Sequence, residues 1–135
     1  MEKIETEHKF IEYEEPSTKT NRRVIKLFFR NSGHYIQFNL SKGKLNKLYK
    51  YINGELSVKD NSHITFTAPS FKIMDIDTED VYLTGKDFQL VLNSLYDGEL
   101  KLTAMGAMRG SSTPTIIGTI RIVYDDDSDY SEKML

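Results

Sequence analysis

Polar and apolar residues alternate with a period of two just after the first twenty positions. Arg23, Ile25, Leu27 and Phe29 fall on one side, and Val24, Lys26, Phe28 and Arg30 on the other. After Asn31-Ser32-Gly33, a turn sequence, the alternation resumes: His34, Ile36, Phe38 and Leu40 oppose Tyr35, Gln37 and Asn39. The pattern predicts strands over 24–29 and 35–40 joined as a hairpin. The face carrying Ile25, Leu27, Phe29, Ile36 and Phe38 should be core. Antiparallel pairing would gather Lys26, Phe28, Arg30, Tyr35, Gln37 and Asn39 on the other face.

The period then changes. Ser41 offers an N-cap hydroxyl, and Leu45, Leu48, Tyr49 and Ile52 repeat at i, i+3, i+4 and i+7, predicting a helix that packs on the sheet. Asn53-Gly54 supplies its stop. A second helix is predicted on the same grounds, with Thr84 as cap, Phe88, Val91, Leu92 and Leu95 as stripe and Asp97-Gly98 as stop. Residues 51–56 and 95–100 correspond loosely, which common helix-stop chemistry explains as well as a repeat would.

Further strands are expected over 62–68, closed by Pro69, and over 71–76, 81–83, 100–105 and 115–124. The last of these, the most β-prone run, should be central. Residues 106–114, rich in Gly, Ser, Thr and Met, should form a loop. The pattern as a whole predicts an α+β fold, an antiparallel sheet-dominated single domain with two short helices, with an OB-like barrel as the alternative. Residues 1–20 read as an acidic N-terminal arm or a short edge strand, with the arm preferred. Residues 21–124 read as the domain, and 125–135 as an acidic tail that packs no core of its own.

Charge sharpens this outline. The net charge of −2 averages over −3 in residues 1–20, +7 in 21–60, −2 in 61–124 and −4 in 125–135. A basic segment between acidic ends points to a polyanionic partner. Single-stranded nucleic acid needs cations along its backbone and flat rings against its bases. Lys26 and Arg30 would supply the first, Phe28 and Tyr35 the second, and Gln37 a hydrogen-bonding group. Arg22, Arg23, Lys42, Lys44 and Lys47 would flank them. The alternative is that another layer, such as a helix or the N-terminal arm, covers this face.

Other chemistry finds little support. There are no cysteines, and His8, His34 and His63 are too far apart in sequence for a local zinc motif. Asp75, Asp77 and Glu79 lack the central glycine of a calcium loop, and Gly106-Ala107-Met108-Arg109-Gly110 lacks the lysine of a phosphate loop. No catalytic constellation stands out, so a non-enzymatic protein without cofactors or metal is expected. No run of about 18 apolar residues and no apolar leader occurs, so a cytoplasmic address and no membrane partner are expected.

The order strand, turn, strand, Ser-capped helix, then strands and a Thr-capped helix resembles the PC4-like and whirly single-stranded-DNA-binding families over residues 22–100. The acidic end is similar to the tails of bacterial and phage single-stranded-DNA-binding proteins. That resemblance implies binding of single-stranded DNA or RNA by a sheet surface. The tail would compete for the basic face or recruit a protein partner. The competing expectation is a small protein-interaction or inhibitory module, encoded by a phage or mobile element and directed at a host protein. Pairing of 115–124 across a homodimer also stays open.

Overall fold

The computed structural model describes residues 10–14, 21–29, 32–59, 62–95, 99–122 and 130–134. Among them are eight strands in one antiparallel sheet whose spatial order is their order in the chain, so each strand pairs with its chain neighbours. The strands are β1 (Ile11–Glu14), β2 (Arg22–Phe29), β3 (His34–Ser41), β4 (His63–Asp75), β5 (Val81–Ser94), β6 (Leu100–Met108), β7 (Thr115–Ile122) and β8 (Tyr130–Met134). One helix, α1 (Lys42–Ile52), lies between β3 and β4. The sheet-dominated α+β expectation holds, and the sheet curls into an open half-barrel.

The first hairpin follows its alternation. Ile25 pairs with Phe38, Leu27 with Ile36 and Phe29 with His34. Ile25, Leu27, Phe29, Ile36, Phe38, Leu45, Leu48 and Ile52 are all buried in one cluster, to which β1, β4, β5, β6 and β7 also contribute. The Ser41 side chain accepts from the Lys44 amide at 3.3 Å, and Gly54 takes φ +78° just beyond the end of α1. Such a left-handed stop favours glycine.

Among the described residues the second helix is absent: Thr84 to Ser94 lie in β5, and the expected stop Asp97-Gly98 lies outside the described residues. Phe88, Leu90 and Leu92 are buried while Gln89, Val91 and Asn93 are only partly so. These residues satisfy a period of two as well as the helical stripe. Pairing to β4 on one side and β6 on the other decides for the strand. Nor does Pro69 end a strand. β3 pairs with β4 only at His34–Gln37 opposite Lys72–Asp75, so the earlier part of β4 has an edge without a ladder there. A missing N–H is tolerated at such an edge. In place of the ladder, α1 packs into this part of the core, and Tyr51 meets Phe66 edge-on at 6.5 Å.

Both ends of the described chain differ from expectation. Residues 11–14 form an edge strand on β2, with Ile11 and Tyr13 buried beneath it. Residues 130–134, expected in a free acidic tail, pair with β7 as β8. β7 is therefore next to an outer strand, not central. Residues 125–129 of the tail lie outside the described residues.

Near the middle of the sheet, Phe71 covers two glycines. A Cβ at Gly85 would meet its ring and, at 2.6 Å, the Ala107 carbonyl oxygen; a Cβ at Gly106 would meet the same ring. Phe71 also lies 5.5 Å from Phe88, so the bare backbone of two strands lets one buried aromatic lie flat across them.

Candidate nucleic-acid interface

Pairing places Lys26 opposite Gln37 and Phe28 opposite Tyr35, so these residues share the outer sheet face as their alternation requires. β1 lies beside them, with Glu12 opposite Lys26 and Glu14 opposite Val24. The Lys26 ammonium donates to Glu14 Oε1 at 2.8 Å, with side-chain exposures of only 12% and 20%. Burial acts against the charged amine. The hydrogen bond and charge of Glu14 outweigh it and hold the Lys26 pKa above the ordinary lysine value.

The aromatic pair is likewise engaged. Phe28 and Tyr35 lie with ring centroids 5.0 Å apart, and Lys26 Nζ sits 5.5 Å from the Tyr35 centroid. Tyr35 is 3% exposed and pairs on its other side with Met74, itself buried. Burial raises the Tyr35 pKa, partly offset by the Lys26 charge. The expected platform of free cation and free ring is thus a small packed cluster edged by glutamates. It is closer to the covered alternative than to an open stacking surface. Arg30 lies outside the described residues.

The flanking residues come together elsewhere. Arg22 at the start of β2 and Lys44 in the first turn of α1 line one cavity of about 570 Å³. Thr67 and Pro69 of β4, Asp87 and Gln89 of β5, and Pro114 before β7 complete its wall. Lys42 and Lys47 are exposed on the same helix, while Arg23 is half-buried and donates to the Arg22 carbonyl at 3.2 Å. A second cavity, of about 610 Å³, is lined by Thr84, Lys86, Arg109, Gly110, Ser111 and Ser112, among others. Lys86 precedes Asp87, and Ser112 lies two positions before Pro114. The two cavities therefore flank the same bend of β5 and the same loop.

Sequence reasoning missed Lys86, Gln89 and Arg109. Lys86 and Gln89 are spread along β5 and Arg109 is a single charge in a loop; the fold sets Gln89 in one wall with Arg22, and Lys86 in another with Arg109. It also missed an apolar patch. Ile76, Val81, Tyr82 and Leu83 are exposed on the projecting β4–β5 hairpin, Tyr82 at 63%, and β6 pairs with β5 only from Gly85 onward.

Among the described residues, no three His, Asp or Glu side chains gather to hold a metal, and no helix is long and apolar enough to cross a membrane. No protein-family model, curated protein or solved structure matches this chain.

Proposed function

We propose that this protein binds single-stranded nucleic acid without chemistry, along the groove formed where β2 begins beside the first turn of α1. The observation that carries the reading is the convergence of Arg22 and Lys44, from separate elements, on one cavity wall with Thr67 and Gln89. Phosphates would follow the cations, with Lys42 and Lys47 extending the track on the helix. Thr67 and Gln89 would bond bases or sugars, and Pro69 and Pro114 offer apolar surface. Asp87, in the same wall, opposes the anion and limits affinity. On this reading Lys26, Phe28, Tyr35 and Gln37 support the sheet behind the groove.

Titration of oligo-dT by fluorescence anisotropy at rising salt tests it. Binding should weaken with salt, and Arg22→Gln with Lys44→Gln should reduce the log–log slope by roughly one to two. Phe28→Ala should leave the affinity nearly unchanged. A loss of about 1–3 kcal/mol would return the site to the hairpin face. Absence of salt-sensitive binding at low ionic strength refutes the function.

The exposed β4–β5 hairpin favours a second reading, a protein-interaction or inhibitory module. An open backbone edge at Val81–Leu83, carrying apolar side chains, suits addition of a partner strand. Recovery of one stoichiometric protein after nuclease treatment, lost in Tyr82→Asp, would support it over the first.

A further inference from the structure

Lys86 and Arg109 are exposed, and no described carboxylate lies in ion-pair contact with either. They nevertheless line one cavity, with the residues Thr84, Ser111 and Ser112 beside them and no Asp or Glu in its wall. Two like charges on one concave surface repel each other, and a bound anion converts that repulsion into attraction on both sides. The loop is built to hold this shape. The Arg109 amide donates to the Thr84 carbonyl at 3.0 Å and the Ser111 amide to the Met108 carbonyl at 2.9 Å. Gly110 turns the chain at φ +88°, which a side chain would strain. The Thr113 amide donates to Ser111 Oγ at 3.2 Å, which fixes that side chain in the turn.

We propose that this cavity is a discrete oxyanion site that takes a phosphate group. Arg109 engages two phosphate oxygens through its planar fork, Lys86 acts as a point charge, and the Thr84 and Ser112 hydroxyls donate to the remaining oxygens. Asp87, the nearest acid in sequence, lines the neighbouring groove and not this cavity. The site does not require that the groove bind a strand. Its phosphate could belong to a free phosphomonoester or to the end of a nucleic acid held in that groove.

The test follows backbone amide NMR shifts while sodium phosphate replaces sodium chloride at constant ionic strength. Saturable shifts confined to residues 84–86 and 108–112 are expected, and Lys86→Gln with Arg109→Gln should weaken them roughly ten- to a hundredfold. Both positions are exposed, so the fold should persist, and unchanged shifts elsewhere confirm it. Linear, non-saturating shifts, or saturable shifts that survive the double substitution, overturn the proposal. A second arm compares oligo-dT with and without a 5′-phosphate. Tighter binding of the phosphorylated form, abolished in the double variant, assigns a nucleic-acid source. Equal binding of the two, with inorganic phosphate still captured, assigns a small phosphoester. If neither oligonucleotide binds while phosphate does, the strand-binding function fails and the oxyanion site stands.

Discussion

At Lys26 the charge that looked available in the sequence is held by Glu14 at 2.8 Å and by the Tyr35 ring. Lys26, Tyr35 and Tyr49 all have folded pKa values above their ordinary ones. Glu14 is responsible at Lys26, where it overcomes burial, and burial leads at the two tyrosines. A raised folded pKa means that the native state holds its proton more tightly. The corresponding stability is intact below about pH 10 and is lost as pH rises through the folded values. Urea midpoints measured upward from about pH 8 should therefore fall in the alkaline range. Tyr49→Phe should flatten that fall most, and Glu14→Gln should remove the lysine part while costing about 1.5–3 kcal/mol at neutral pH. At the centre of the sheet, Gly85→Ala should destabilise by about 1–3 kcal/mol, since the Ala107 backbone cannot retreat from a Cβ 2.6 Å away. Phe71→Ala should cost about 3–5 kcal/mol by opening a cavity over both glycines. Chemical denaturation checks both, and a midpoint of Gly85→Ala equal to wild type would refute the packing argument.

At the scale of elements, the hairpin and α1 were legible because several local signals agree there. Alternation, the Ser41 cap, the helical stripe and the Asn53-Gly54 stop specify one structure. Ser41→Ala should accordingly cost about 1 kcal/mol, read from thermal denaturation of the two proteins. Over 84–95 the local signals conflict. Phe88, Val91, Leu92 and Leu95 fit a helix, while Phe88, Leu90 and Leu92 fit a strand. Only the long partners β4 and β6 choose between them. The sharing of the outer face by Lys26, Phe28 and Tyr35 was also legible. That the N-terminal arm covers it was only one of the alternatives the sequence left open, because β1 is a four-residue strand in a polar arm and its pairing is tertiary. The groove was less legible still. Arg22 and Lys44 were both marked by charge, but nothing local to them announces Thr67, Pro69, Gln89 or Pro114.

For the whole molecule, the curl of the sheet sets what is open and what is closed. β8 covers the outer edge of β7, the strand whose sequence is most prone to pair with other chains. Removal of residues 130–135 would leave Thr115–Ile122 as a terminal edge, with Ile116 already 46% exposed. The shortened protein should scatter light and self-associate at concentrations where the full chain does not. A monodisperse shortened protein would show that β8 is dispensable. Arg22 and Lys44 line one cavity and Lys86 and Arg109 the other, and the two walls adjoin in the chain at 86–87 and 112–114.

The unbroken correspondence between chain order and sheet order bears on how quickly the protein forms. The pairing of His34–Gln37 with Lys72–Asp75 must close across α1, while the other strands pair with near neighbours in the chain, so the sheet can zip outward on either side of that junction from a hairpin that closes early. The longest hairpin is β4–β5, and its turn is tied by Asp75, whose Oδ1 accepts from the Asp77 and Thr78 amides, each at 2.9 Å. If that turn seeds the sheet, Asp75→Ala should slow refolding in stopped-flow chevrons while leaving the unfolding limb nearly unmoved. The reverse, faster unfolding at an unchanged refolding rate, would place nucleation in another hairpin. Slowed refolding in Asp75→Ala would mean that one carboxylate in a projecting turn governs the speed at which the eight described strands assemble.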